Sequence, residues 1–480
     1  MQSNSLKTSI INGLFWQYTQ RIGNQLVQFV VSIILARILA PEDFGVIALI
    51  GVFITISNIF IDGGLGNALI QKKDLEAVDK SSVFYINLLI SFCLYALIFL
   101  AAPYIAGYYG MSSLDMLLRV QAIQIVIMAF YCVQNSVLVR NMEFKLIFII
   151  NFVSILVSSI VGISLACLGY GVWSLVCSQI AMQMSKVIGF WLFSNWRPIA
   201  VFSFERVKQL FGYSSRILGG SLLHVCYSNI YNIIIGKQFS VSLLGYYNRG
   251  QLIPTIIIEN AANSINSVMF PALSRIQDEK DRFLLLIRNM VSIVAYIVSL
   301  IIAILLPLSS NIISVLLTDK WLPCVPFMQI VCITVCFTPF ILINSSILTA
   351  LGESSKYLMS SIYSKVLSIV LIIVASFGGI YCMVGAGCIA AIASVLITGY
   401  WNRSLIHYKI KDYLHDVCPS FLLAIFTSAC IYGIVLWVNL PSFYIILVGS
   451  IVGVLIFVSL SRMLKFKQME LIINLIKKGN

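Results

Sequence analysis

Arg21, Arg119, Lys186, Arg216, Arg249 and Lys365 are cations set inside long apolar stretches. A charge at the centre of a bilayer costs from about 2.5 to more than 10 kcal/mol. Such residues therefore line a watery cavity, pair with an acid, or snorkel to an interface. The chemistry they offer is electrostatic binding of an anion. Glu259 and Asp62 are acids in comparable surroundings. Either one is a proton or cation site, or the partner of a basic residue.

Helical angle, at about 100° per residue, separates these candidates. Gln17, Asn24, Gln25, Gln28 and Ser32 fall within about 60° of Arg21, a polar stripe that cannot face lipid. Asn248, Thr255, Asn263 and Asn266 fall within about 40° of Glu259. Lys365 shares its face with Ser361, Ser368 and Ser376, and Asp62 shares one with Thr55 and Asn58. Arg119 points away from the polar residues of its helix, so snorkelling from the outer end is expected there. Lys186 and Arg216 lie nearer the cytoplasmic end and Arg249 nearer the outer end. Arg21, Lys186, Arg216 and Lys365 would then form a cationic vestibule open to the inner leaflet.

The elements that must position these residues are spanning helices. The chain of 480 residues is 60% hydrophobic and 10% charged, against about 25% charged for soluble domains. Stretches of about 20 apolar residues suffice to cross a bilayer, and about 14 are present. They run over 13–39, 44–61, 83–106, 116–139, 146–168, 172–193, 211–235, 246–271, 290–309, 325–350, 357–377, 383–401, 417–438 and 443–460. Pro41, Pro103, Pro198, Pro323 and Gly63-Gly64 are expected between helices. No cleaved leader is expected at the N-terminus.

Loop charge sets the orientation. With the N-terminus in the cytoplasm, inner loops and tails carry Lys72, Lys80, Arg140, Arg197, Arg206, Lys208, Arg275, Arg288, Arg403, Lys409, Lys465 and further lysines and arginines. The outer loops carry only Arg37, Lys237 and Lys320. Both termini are thus expected in the cytoplasm. The net charge of +13 reflects loops facing anionic lipid head groups rather than nucleic acid.

An internal repeat organises the helices. Residues 33–39 (IILARIL) lead through Pro41 to Gly45; 200 positions later, 233–239 (IIIGKQF) lead to Gly245. These are the ends of helices one and seven. Six helices per repeat is an even number, so the halves run parallel, as in transporters with an axis along the membrane normal. The expected fold is an all-α polytopic membrane protein with two parallel six-helix lobes around a central cavity, plus two C-terminal helices. Residues 1–195 form an N-lobe, 196–210 a cytoplasmic hinge with an amphipathic run, and 211–403 a C-lobe. Residues 404–480 hold helices thirteen and fourteen and a basic tail.

No phosphate-binding GxxxxGK[ST], HExxH or GxSxG motif occurs, so neither an enzyme nor an ATP-driven motor is expected. The 12 cysteines are scattered without a CxxC pair, and no metal or cofactor is expected.

Several short motifs carry a family resemblance: LARILAPEDFG (35–45), DGGLGNALIQ (62–71), RNMEFK (140–145), GYGVW (169–173), LGYYNR (244–249) and FPALSR (270–275). Together they resemble the polysaccharide flippases of the multidrug/oligosaccharidyl-lipid/polysaccharide exporter superfamily, in the branch of colanic and teichuronic acid exporters. They cover the first 280 residues; the rest matches mainly in hydropathy. The resemblance implies alternating access in a bacterial inner membrane. Its implied cargo is an undecaprenyl-diphosphate-linked oligosaccharide, moved from the cytoplasmic to the periplasmic leaflet for surface polysaccharide synthesis. It also implies a polymerase and a chain-length regulator as partners, and basic residues lining the cavity. A multidrug or cation antiporter of the same superfamily would lean on intramembrane acids, which basic residues outnumber here. A membrane polymerase would need a larger outer loop than the short ones present.

Overall fold

The structure, a computed structural model, describes residues 16, 22–62, 65–72, 74–406, 408–438, 440–466, 468 and 469. Among them the regular elements are helical. Eleven helical stretches are long and apolar enough to cross a bilayer, so the chain is a multi-pass membrane protein. In lipid every backbone N–H and C=O must be satisfied within the chain, and the helix does this locally.

The first compact unit is Met1–Gly245. It contains α1 (Ile22–Ile38), α2 (Pro41–Asp62), α3 (Leu65–Gln71), α4 (Ala77–Tyr109), α5 (Ser113–Arg140), α6 (Phe144–Cys167), α7 (Val172–Phe193), α8 (Phe204–Ser228) and α9 (Ile230–Gln238). Here α4 pairs with α5, α6 with α7, and α5 also packs on α7. Their shared core includes Ile50, Ile61, Ala102, Leu118, Ala122, Ile125 and Val176, all buried. α8 packs on α2, α3 and α4.

The second unit is Tyr246–Asn480. It holds nearly all of α10 (Val241–Arg275), then α11 (Lys280–Leu317), a short 3-10 turn (Asp319–Cys324), α12 (Val325–Val335) and α13 (Thr338–Ala350). α14 (Ser354–Ser376), α15 (Ile380–Ile406), α16 (Ile410–Trp437) and α17 (Ser442–Met463) complete it. α11 packs along α16 and α17, and α14 along α15. Gly449 and Gly453 form a small-xxx-small stripe on α17. A Cβ at Gly453 would lie 2.6 Å from Ile431 Cδ1, and one at Gly449 would lie 2.9 Å from Leu308 Cδ2. A methyl at either position would require those side-chain tips to shift.

The elements depart from the apolar runs in instructive places. α4 and α11 extend beyond them at both ends. Apolar length measures only what lies in lipid, whereas backbone hydrogen bonding carries a helix on into water. Pro103, expected between helices, lies inside α4, where its missing N–H is tolerated near the helix end. The run 325–350 is split into α12 and α13, with Pro339 in the first turn of the second piece. The run 211–235 is split at Asn229, whose Nδ2 donates to Val225 O at 2.9 Å. The amphipathic run at 202–210 is not a separate surface helix: from Phe204 onward it forms the first turns of α8.

α8 and α10 are not among the eleven apolar spans, whereas α1, described over Ile22–Ile38, is apolar and shorter. α10 has 35 residues, long enough to cross, yet it carries Asn248, Glu259, Asn260, Asn263 and Asn266. These are the places of expected helices one, seven and eight. Helix eight is one of those on which the sequence places its strongest polar stripes.

Candidate substrate pathway

The candidate cations divide between the units. Lys186 is half-buried on α7, in the half that leads to its C-terminal end. Arg216 lies in α8 and Asp62 closes α2; both side chains are outside the described set, as is Arg21 altogether. In the second unit, Arg249 is half-buried near the start of α10, and Glu259 is exposed ten residues further on, about 15 Å along the axis. Gly250, beside Arg249, lies against the chain at Cys324 and Met328; a Cβ there would be 2.8 Å from Cys324 O. Asn266, a member of the Glu259 stripe, accepts a hydrogen bond from Ser346 on α13, so that part of the stripe is structural.

Lys365 stands at the middle of α14, half-buried. No carboxylate lies within ion-pair distance of it among the described residues. Its neighbour Ser364 has a buried hydroxyl with no hydrogen-bond partner among the described residues. Arg119, by contrast, is satisfied locally: Asp115 lies 2.8 Å away, one turn earlier, and the guanidinium sits 4.4 Å from the Phe99 ring centroid. It is a local ion pair within α5.

Many loop cations that orient the chain are engaged in structure. In the first unit, Asp79 in the first turn of α4 is fully buried. Its carboxylate accepts from Glu76 N at 3.0 Å and meets Lys72 Nζ at 2.8 Å and Arg206 at 3.4 Å. Arg206, in the first turn of α8, also makes a two-pronged contact to Glu76, each arm 3.0 Å. Hydrogen bonding to Glu76 holds its guanidinium above the ordinary arginine pKa. The segment leading into α8 is stitched to α4 as well: Ile199 N donates to Ser81 Oγ at 3.0 Å and Ser203 N to Ser82 Oγ at 2.9 Å. Arg140, ending α5, donates to the last carbonyls of α3, including Leu69 O at 2.9 Å. The stretch that the sequence marks as a hinge is therefore strapped to α4 along residues 199–206.

The second unit has its own charged cluster. Arg288 on α11 donates to Asp416 on α16 through Nε at 2.9 Å and Nη2 at 3.0 Å. Tyr408 OH donates to the same carboxylate at 2.8 Å. Sequence reading counts Arg288 and Arg206 as loop charges and passes over Asp416, Glu76 and Asp79. A local signal exists for one of these sites: Glu76-x-x-Asp79 ahead of an apolar run is a helix-start pattern. For Asp416 there is none.

Apolar clefts also lie in this unit. One of about 620 Å³ is bounded by α11, α12, the turn at Cys336 and Phe337, and α16, with Leu306, Ile333 and Phe421 among its walls. Another, of about 720 Å³, is bounded by α16 and the end of α17, with Leu422, Phe426 and Leu460. Their walls are mostly hydrocarbon.

Comparison with known proteins agrees with this architecture. Succinoglycan biosynthesis transport protein ExoT of Rhizobium meliloti is 26% identical over 57% of this chain, a match that spans 56% of that relative's length. Teichuronic acid biosynthesis protein TuaB of Bacillus subtilis is 23% identical over 90% of each chain. Lipopolysaccharide biosynthesis protein WzxC of Escherichia coli is 21% identical over 78% of this chain and 83% of its own. Among solved structures, lipid II flippase MurJ in an inward closed conformation has a similar fold, with a TM-score of 0.77 at 15% identity over 94% of this chain and 98% of that one. An inward-facing multidrug resistance MATE family transporter of the MOP superfamily follows at a TM-score of 0.59 and 17% identity, over 80% of this chain and 96% of that one. The family model described as polysaccharide biosynthesis protein matches residues 34–326, more than half of the sequence, and the chain belongs to that family.

Proposed function

We propose that this protein is a flippase that carries an undecaprenyl-diphosphate-linked oligosaccharide from the cytoplasmic to the periplasmic leaflet of a bacterial inner membrane. It works by alternating access of two lobes, 1–195 and 211–403, and both termini face the cytoplasm. The observation that carries this reading is Lys365, a half-buried cation at the middle of a spanning helix with no acid in ion-pair reach among the described residues. A cation at membrane depth with no acid beside it faces a watery cavity or a substrate path. The polar character of α10 supports a wet path for the cargo, and the apolar clefts along α16 supply a surface for an isoprenoid chain. Relatives named for succinoglycan transport and teichuronic acid biosynthesis support the cargo class, as does a fold shared with a lipid II flippase. The chain acts as a transporter and not as an enzyme. A polymerase and a chain-length regulator are its working partners, receiving the unit on the far side.

Arg21, Lys186, Arg216, Arg249 and Lys365 are the cargo-binding cations in this reading, and Glu259 and Asp62 are the candidates for ion coupling. Lys365→Ala and Arg21→Ala are each expected to lower transport at least tenfold, with folded protein at the normal level. Measured flipping in membrane vesicles, read beside the amount of folded protein, checks this; unchanged transport in both variants rejects the cationic path. The cargo itself is tested by deleting the gene and locating the lipid-linked glycan that accumulates. Accumulation on the inner leaflet is expected. Accumulation on the outer leaflet would make the protein a polymerase instead.

A further inference from the structure

The 200-residue repeat meets itself in the first unit. α2 starts at Pro41 and α10 at Val241, and the first turns of these two helices cross. A Cβ built on Gly45 would lie 1.9 Å from Val241 O, and one built on Gly245 would lie 2.0 Å from Pro41 O. Between them, Ser242 Oγ donates to Glu42 Oε1 at 2.9 Å. Each contact exchanges with its repeat counterpart: 45 touches 241, 245 touches 41, and 42 touches 242. This reciprocity is the mark of a local two-fold axis, as at an isologous interface. The atoms in contact are backbone carbonyls, which cannot swing aside as a side-chain tip can. Any side chain at Gly45 or Gly245 must therefore move a whole helix.

Two features make this crossing a closure rather than a permanent core. By loop charge it lies at the outer end of the bundle, beside the turns that follow Arg37 and Lys237. Its rim is also open to solvent: Glu42 is exposed and Ser242 half-exposed, and a side-chain hydrogen bond bridges them.

Resting on the flippase reading, we propose that the Gly45–Gly245 crossing is the outer gate, shut when these glycines touch and opened when the first turns of α2 and α10 part to release cargo. The paired glycines set how tightly it shuts.

The test uses the full-length chain. In the E42C/S242C variant, a mild oxidant is expected to form a disulfide between the two positions, identified by peptide mass spectrometry. Once cross-linked, transport is expected to fall at least tenfold relative to the same sample after reduction. The unsubstituted protein carried through the same oxidation controls for its native cysteines. Separately, G245A or G45A is combined with E42C, and labelling of the thiol introduced at position 42 is followed with a membrane-impermeant maleimide. Either glycine substitution is expected to speed that labelling several-fold, because the methyl wedges the helices apart. Failure to cross-link, full transport while cross-linked, or a labelling rate insensitive to both glycine substitutions would each overturn the proposal. Cross-linking and labelling need no cargo, so they judge the gate even if the deletion experiment rejects a lipid-linked glycan.

Discussion

Replacing Arg288 by alanine is expected to lower the unfolding free energy by about 3–5 kcal/mol, the usual result of stripping one partner from a buried ion pair. The reason is the asymmetry of the site. Arg288 is partly exposed, but the Asp416 carboxylate is nearly buried and receives both arms of the guanidinium as well as Tyr408 OH. Without Arg288 the carboxylate keeps its burial and loses its counter-charge. Asp416→Asn should cost less, about 1–2 kcal/mol, because an amide still accepts from Tyr408 and leaves the arginine able to reach water. Denaturant unfolding in detergent gives both values; a larger loss for Asp416→Asn than for Arg288→Ala would refute this account. The pair joins α11 to α16 over 128 residues of sequence. It fixes where a helix outside the two six-helix repeats meets one within them. Loss of the pair is therefore expected to loosen the cleft that α11 and α16 border.

Asp79→Ala is expected to cost about 3 kcal/mol, from the loss of a helix-start hydrogen bond worth about 1 kcal/mol and of a buried carboxylate shared by two cations. The lower end of the buried-pair range applies because Lys72 and Arg206 both retain access to water. Stability alone would not distinguish a strap from a cap. Limited proteolysis does: cleavage within 196–206 should accelerate strongly in Asp79→Ala, since Arg206 then holds only exposed Glu76. Protection unchanged from the parent protein would show that Ser81 and Ser82 hold the strap by themselves. The functional consequence follows from position. This segment leads into α8, one of the polar helices, so a released strap frees the start of that helix.

Both sites lie near helix ends, where a sequence shows likeness but not contact. The match of the family model ends near residue 326, and the resembling motifs end near 275; most of these motifs lie at helix ends and in turns. There, Arg37, Pro41 and Gly45, or Lys237 and Gly245, are visible as a repeated pattern. Their mutual contact is not visible, because an offset of 200 says that two segments are alike and nothing about whether they touch.

Apolar runs, loop charge and the polar stripes were legible from the sequence by itself, and together they determined a helical bundle in lipid, its orientation as an expectation, and which helices carry a polar face. The physical reason is that these signals are local. A bilayer demands about 20 apolar residues and internal backbone hydrogen bonds from each segment separately. Tertiary structure alone decided which charges are paired. Arg206 and Arg288 look like surplus loop cations in the sequence and are each claimed by acids about 130 residues away, whereas Lys365 looks like one more embedded lysine and has no acid within reach among the described residues. Charge pairing depends on which helix ends land side by side, and no property of a single segment contains that.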